Sequence, residues 1–384
     1  MASRAERTFV GQWWWTVDRA LLATVAAVMV AGIVLLMAGG PPVAERLGLS
    51  TFHFVNRQVV FLVPAAAVMI AASFLSPRHV RRMSLGLYVV FMALIVATLH
   101  FGPEVKGAHR WLSFGGISIQ PSEFMKPAFV ILAAWAFSEG SRRSDVPGTL
   151  LAVLILPATI IPLILQPDFG QTMLVTMVWA GLFFVAGLHW FWVVGLGGVG
   201  ALGIGVAYQF VPHVRARLER FMDKTSGDTF QVDTALESFA QGGWLGKGPG
   251  EGTVKRILPD AHTDFIFAVT AEEFGIVVCI ALVLLFMLIV VRGLLLARRN
   301  EEPFCRFAAV GLVMLFGVQA CINMAVNVHL MPAKGMTLPF ISYGGSSLIS
   351  LALGMGFLVA VTRKRPRAEI LDRINPARRA RTGL

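Results

Sequence analysis

Charge is scarce in this chain. Only 14% of its 384 residues are Asp, Glu, Lys or Arg, where a soluble chain carries about a quarter. With 56% hydrophobic residues and a mean hydropathy of +0.71, that shortage leaves no room for a large soluble domain and indicates a polytopic membrane protein. Cysteine is scarce too. Cys279, Cys305 and Cys321 lie in or beside apolar segments, at spacings that fit neither a zinc site nor a disulfide framework. Acids are outnumbered, 22 against 33 Lys and Arg, for a net charge of +11. Such a surplus suits nucleic acid or a membrane surface, and its placement selects the membrane. The RKRPR run at 363–367 begins where the last apolar segment ends, a position for a stop-transfer signal and for anionic lipid headgroups rather than for DNA.

Ten apolar segments run at about 19–39, 56–75, 83–101, 122–138, 149–166, 170–187, 189–210, 264–297, 304–329 and 340–362. A bilayer crossing needs about 20 residues. The break at Gln166-Pro167-Asp168 is short enough for a re-entrant turn to be an alternative to two spans. The glycines between Gly195 and Gly205 suit a membrane helix better than a soluble one. Arg4, Arg7 and Arg19 flank the start of the first segment, which is read as a retained signal anchor rather than a cleaved peptide. With the N-terminus inside, Lys and Arg gather in the cytoplasmic pieces. Most of the outer ones lie in one long loop, 211–263, and long loops count little in the positive-inside rule. The expected fold is all-α, with about ten transmembrane helices, both termini cytoplasmic and one long extracytoplasmic loop. Residues 1–18 form a cytoplasmic segment, 19–363 the membrane domain and 364–384 a basic cytoplasmic tail. Trp13, Trp14 and Trp15 suit an interfacial belt.

The chain is organised around residues 255–275, KRILPDAHTDFIFAVTAEEFG, where a polar stretch enters a long apolar one. Thr263 is a plausible helix N-cap, which puts Asp264 in the first turn. Asp264, Ala268, Ala271 and Gly275 then share one stripe. Small residues below a carboxylate leave space for a cavity, or let helices approach closely. Asp264 is the leading catalytic candidate, and an acid that merely caps a helix at the membrane surface is the alternative.

Lys126 is the one basic residue left inside an apolar segment once those at segment ends are assigned to the flanks. Glu123 precedes it by three in QPSEFMKP, on the same helical face. A charge within a membrane usually faces a bundle interior or water and marks function; a pair that only neutralises itself is the other reading. Asp168 in QPDFGQ either caps the next helix or serves the site. In the long loop, VRARLERFMD at 214–223 is amphipathic enough to lie on a membrane surface. The GGWLGKGPGEGTVKR run is flexible linker or a backbone cradle for phosphate. Lys247, Lys255 and Arg256 sit beside it. His109 and Arg110 in GAHRWLSFGG, and Lys334 in HLMPAKGMTLPFISYGGSS, bring further cations to helix mouths. They either hold a polyanion or pair with loop acids.

Four of these motifs, GAHRWLSFGGISIQPSEFMKP, QPDFGQ, GKGPGEG…LPDAHTDFIFAVTAEEFG and MPAKGMTLPFISYGGSS, together resemble the SEDS family of FtsW, RodA and SpoVE, over about residues 20–364. The KGMTLPFISYGGSS form is closer to FtsW members than to RodA members. The resemblance implies a ten-helix peptidoglycan glycosyltransferase that polymerises lipid II beside a class B penicillin-binding protein and other division membrane proteins at the septum. It implies that Asp264, the aspartate of HTDFIF, is essential. It also implies that Glu123 and Lys126 of PSExxK line the same cavity. His262 and Ser342, within the matching motifs, join Arg110, His109, Asp168, Lys255 and Lys334 as candidate substrate contacts.

Joining two lipid-linked sugars needs a base for the acceptor hydroxyl and cations for the leaving pyrophosphate. That leaving group is good enough for one carboxylate to suffice. Side-chain cations or a divalent ion, Mg²⁺ or Mn²⁺, would hold the pyrophosphates, and no other cofactor is implied. A lipid II flippase shares the ten helices and buried charges but needs polar lining through the whole bilayer. Here the ionisable residues cluster toward one end, Glu272 lying only about 12 Å beyond Asp264 on a helix. A RodA-like elongation polymerase, or a scaffold that only recruits division proteins, are the remaining alternatives. A scaffold would need none of the Asp264, Glu123 and Lys126 constellation.

Overall fold

The computed structural model describes residues 9–104, 108–114, 117–142, 145–187, 190–210, 215, 230–332 and 335–364. Lys334, nearly all of the 214–223 stretch and the tail after Lys364 lie outside them. The described elements are α1 (Phe9–Thr16), α2 (Arg19–Arg46), α3 (His53–Ser73), α4 (Pro77–Phe101), a hairpin of β1 (Leu112–Phe114) and β2 (Ile117–Ile119), α5 (Pro121–Arg142), α6 (Gly148–Leu165), α7 (Phe169–Val185), α8 (Trp190–Phe210), α9 (Phe230–Gly242), α10 (Ile266–Arg298), α11 (Pro303–Asn327) and α12 (Gly345–Thr362). Each of the ten apolar segments contains a described helix, but the last begins at Gly345 rather than at 340, and 264–265 precede theirs as irregular backbone. Seven of these, α2, α3, α4, α6, α10, α11 and α12, are long and apolar enough to cross a membrane, and α7 is a shorter apolar helix.

Local chemistry sets the helix starts. Asp18 caps α2 by accepting from the Leu21 N–H, and Ser76 caps α4 with Pro77 behind it, as expected for an oxygen side chain before a helix and a proline in its first turn. The centre of the bundle is α5, α11 and α12. α12 is 83% buried along its apolar window and α11 67%, against 17% for α4. α3 packs along α12, α4 and α6 flank α5, and α2 lies on α10. In a chain that spans a membrane, the exposed apolar faces of α4, α6 and α10 are the ones that lipid would cover.

At one end, which we call the Asp18 end, the contacts are compact. Asp18 forms a two-pronged pair with Arg292 of α10, at 2.7 and 3.1 Å. Arg81 meets Glu139 at 3.6 Å. The Lys364 N–H donates to the Thr16 carbonyl. The Trp13–Trp15 run divides here. Trp14 and Trp15 are exposed, with Arg19 stacked over both rings. Trp13 departs from a belt role: it is buried, stacks on Phe74 at 5.0 Å and donates from Nε1 to Ser73 Oγ at 2.8 Å. The long loop also holds more order than its composition suggests. α9 packs along the first part of α10, burying Val232, Ala235, Ser238 and Gly242, spaced to form one helical stripe.

Candidate functional site

At the opposite end of the bundle, residues 259–265 and the 335–344 turn meet, and the break between α6 and α7 is a third irregular stretch, joined to them through Gln171, Glu123, Lys126 and Gln319. Asp264 lies in the first. The expected cap at Thr263 is not made, and the helix starts later, with Phe265 as its N-cap residue and no cap from its own side chain. The Thr263 hydroxyl donates instead to the Asp260 carbonyl, and the Thr263 carbonyl accepts from Ser342 Oγ at 2.5 Å. Asp264 therefore precedes the helix rather than occupying its first turn.

The missing cap is supplied from a neighbouring helix. Asn327 Oδ1 of α11 accepts from the Ala268 N–H at 3.0 Å, satisfying one of the donors that every helix start leaves open. Its Nδ2 donates to the Asp264 carbonyl at 2.9 Å. One turn earlier, Asn323 Nδ2 donates to the same carbonyl at 3.0 Å and to the Met336 carbonyl at 2.7 Å. Both amides are buried. The backbone of Asp264 is thus held from behind by two side chains, while the residue itself is half-buried. Its carboxylate stands beside Gly335, where an added Cβ would lie 3.6 Å from Oδ2.

The same row of α11 carries Gln319, and Gln319, Asn323 and Asn327 recur every four residues. Gln319 Oε1 accepts from Lys126 Nζ at 3.1 Å, and its Nε2 donates to the Thr337 carbonyl at 3.1 Å. Lys126 and Glu123 pair at 2.9 Å with both side chains buried. Glu123 Oε1 accepts from Gln171 Nε2 at 2.6 Å, and the Glu123 carbonyl from Ser350 Oγ at 2.6 Å. A buried pair is tolerable only with such additional hydrogen bonds. Asp168 caps α7 through the Gln171 N–H and also meets Arg110 at 3.8 Å and Gln120 at 3.3 Å, so capping and the loop contact coexist. Burial pushes the Asp168 carboxyl above its ordinary range, and the Arg110 guanidinium and the Gln171 N–H pull against that. One polar chain thereby runs from Arg110 through Asp168, Gln171, Glu123, Lys126 and Gln319 to Thr337.

Ser342 ties two motifs together, donating to Thr263 and accepting from the Leu338 N–H at 2.8 Å. The His262 carbonyl accepts from the Tyr343 N–H, and its ring packs 4.2 Å from Phe54. His109 makes a local contact with the Gly102 carbonyl at 2.7 Å. Lys255 stands apart from this group: it is buried and paired with Glu273.

The glycine-rich run does not offer open N–H groups for a phosphate at these positions. The Lys247 and Gly248 N–H groups donate to the Glu272 and Glu273 carbonyls. Those of Val254 and Lys255 donate to the Glu272 carboxylate at 2.7 and 2.9 Å, and that of Gly250 to Glu273 at 3.1 Å. The run is a clamp around two buried acids of α10. The small-residue stripe is likewise explained by close approach. A Cβ on Gly242 would fall 1.9 Å from the Ala271 carbonyl oxygen, and one on Gly275 would fall 2.3 Å from that of Trp244. Gly275, at φ 79°, breaks α10 into two helical parts.

The FtsW/RodA/SpoVE model, described as a cell cycle protein, matches residues 18–367. The chain belongs to that family. It is 45% identical over 367 residues, 95% of its length and 94% of the relative's, to a probable peptidoglycan glycosyltransferase FtsW of Caulobacter vibrioides. It is 35% identical to a protein of that name from Alkalilimnicola ehrlichii, over 94% of this chain and 95% of the other. Among solved structures it is similar to a chain of a peptidoglycan synthase complex that coordinates polymerization and crosslinking, with a TM-score of 0.75, 29% identity, and coverage of 90% of this chain and 97% of that one. The rod shape determining protein RodA of Thermus thermophilus aligns at a TM-score of 0.68 and 28% identity, over 92% and 99%.

Within this family member, the amide row of α11 is what the sequence reading missed. Its signal was three amides at four-residue spacing inside an apolar helix. Among the described residues no group of three or more His, Cys, Asp or Glu side chains is placed to hold a metal ion. A magnesium ion carried mainly by substrate phosphates needs only one or two carboxylates.

Proposed function

We propose that the chain is a peptidoglycan glycosyltransferase that polymerises lipid II at the outer face of the bacterial cytoplasmic membrane, at the division septum, releasing undecaprenyl diphosphate. Family membership and the names of relatives aligned over nearly their whole length support the activity. The observation that carries the site is the half-buried Asp264 carboxylate, whose backbone is fixed by two buried amides at the mouth of α10.

In this reading Asp264 is the general base. It accepts the proton of the acceptor sugar's hydroxyl as that oxygen attacks the anomeric carbon of the donor. The bond from that carbon to the pyrophosphate oxygen breaks, and the pyrophosphate leaves with its electron pair. Holding the carboxylate in place beforehand removes orientational freedom that the reaction would otherwise have to restrict. Glu123 and Lys126 shape the adjoining cavity. Arg110, His109, His262, Lys334 and Ser342 are the further candidates for contact with the headgroups, and Asp168 and Lys255 set the loops around them.

All ten apolar helices then span the bilayer. Residues 1–18 and 364–384 are cytoplasmic, 19–363 form the membrane domain, and the Asp264 end faces outward with the loop 211–263. A single-span class B penicillin-binding protein docks laterally and reaches that loop, in company with other division membrane proteins. The test is polymerisation of labelled lipid II by the purified protein with its penicillin-binding partner, beside a flipping assay in liposomes. Glycan strands without flipping support the proposal. Flipping without strands would replace it with the transporter reading.

A further inference from the structure

We infer that the loop tip Trp244–Leu245 is a membrane anchor that inserts among the acyl chains of the leaflet on the Asp264 side. The inference stands apart from the catalytic reading, because it rests on apolar exposure and helix length.

The tip is built to present two large apolar side chains. Trp244 is 69% and Leu245 82% exposed. They sit between Gly243 at φ 56° and Gly246 at φ 78°, backbone conformations that glycine adopts without steric cost. The tip is also fixed. The Ile276 and Val277 N–H groups donate to the Gly243 and Trp244 carbonyls. These are donors of the second helical part of α10, left open by the break at Gly275. The tip therefore sits at a defined level along α10.

That level is where α10 changes its surroundings. α10 has 33 residues, a length of about 50 Å, while the hydrocarbon core is only about 30 Å thick. From Phe265 to Glu273 every residue is buried in protein. Beyond Gly275 the exposed positions Val277, Ile280, Leu284, Met287, Leu288, Val291 and Leu295 form an apolar band, and the stretch down to Arg292 carries no charged residue. Gly275 to Arg292 is about 25 Å, close to the core thickness. The lipid-facing band thus starts at the level of Trp244 and Leu245, and the tip continues it. Above the tip, Lys247 and Glu251 return the chain to a polar, exposed surface. A tryptophan at the edge of such a band matches the residue that prefers the boundary between acyl chains and headgroups. The occupant that this continuity selects is lipid.

The experiment places a nitroxide at Leu245→Cys in a Cys321→Ser background, since Cys279 and Cys305 are buried. The protein is reconstituted in phosphatidylethanolamine–phosphatidylglycerol vesicles without any partner protein. Collision rates with oxygen and with a water-soluble nickel chelate are compared with those at Leu284→Cys, on the lipid-facing band, and Glu251→Cys, on the polar loop. The expected result is an oxygen-to-nickel ratio at position 245 near that of position 284 and several-fold above that of position 251. A ratio equal to that of position 251 would overturn the inference. So would protection from both probes, which would mean that a protein surface covers the tip. Quenching by bromine-labelled acyl chains, read as the difference between the unaltered chain and Trp244→Phe, checks the same point without a new cysteine. The unaltered chain should be quenched more, and equal quenching would count against insertion.

Discussion

The two ends of the bundle are held by different means. At the Asp18 end, α2 and α4 begin on their own side-chain caps, and the cross-links include a carboxylate–guanidinium pair and an indole–hydroxyl contact. At the Asp264 end the backbone is irregular, and its carbonyls are satisfied by amide side chains from another helix. A helix start that caps itself needs little from its neighbours. An end held from outside can keep a carboxylate just ahead of a helix, where no regular element would place it. The backbone groups of that irregular stretch, the Ala268 N–H and the Asp264 and Met336 carbonyls, are met by buried amides of α11.

The largest expected effect lies with the buried pair. Lys126→Met leaves Glu123 buried and uncompensated, which costs about 3–5 kcal/mol. The double change Glu123→Gln with Lys126→Met should recover much of that stability. If the double variant melts near the unaltered protein yet makes no glycan, the pair contributes beyond architecture. Full activity in the Lys126→Met single would reject both the structural and the functional role.

An intermediate effect separates the two ends directly. Asn323→Leu strands the Met336 carbonyl, at about 1–3 kcal/mol, and leaves the Asp264 carbonyl with the Asn327 amide as its remaining side-chain donor. Ser73→Ala removes the Trp13 contact at the other end for about 1 kcal/mol. Thermal melting should register both changes. Lipid II polymerisation should fall in the Asn323 variant well beyond its loss of folded protein, with turnover affected more than substrate affinity. It should be unchanged in the Ser73 variant. Equal activity in the two would remove the distinction between the ends.

The smallest effect concerns Asp18. Burial raises its pKa, but the hydrogen bonds from Arg292 and the Leu21 N–H outweigh that and hold it below its ordinary 3.8. A depressed acid contributes its stability above the unfolded pKa and loses it as pH falls through the folded value. The pair is partly exposed, so its worth is at most about 1 kcal/mol. Melting temperatures of the unaltered protein and Asp18→Asn should differ slightly at neutral pH and converge at acid pH. A gap that widens on acidification would show the sign to be wrong.

Hydropathy was enough to find a helix in each of the ten apolar segments, seven of them long and apolar enough to cross a membrane, because burial in lipid and in the bundle demand the same residues. The three-residue spacing of Glu123 and Lys126 was enough to pair them, because the interaction is local. What hydropathy hid was the role of uncharged amides. Gln319, Asn323 and Asn327 barely perturb an apolar helix, yet they bond to α5, to the start of α10 and to the 335–344 turn, groups that helical periodicity does not place beside them. The Thr263 cap failed for the same reason: its oxygen atoms bond Asp260 and Ser342, and the cap comes from Asn327. The glycine-rich run looked open because the acids that occupy its N–H groups, Glu272 and Glu273, follow it inside an apolar helix.

The most direct test is Asp264→Asn in the complex with the penicillin-binding partner, assayed for glycan strands from labelled lipid II. The substitution keeps size and hydrogen bonding and removes the basic group. The backbone contacts to Asn323 and Asn327 run through the carbonyl, so melting temperature and lipid II binding should stay near those of the unaltered protein while strand synthesis is abolished. Near-normal strand synthesis by the asparagine variant would contradict the assignment of Asp264 as the base.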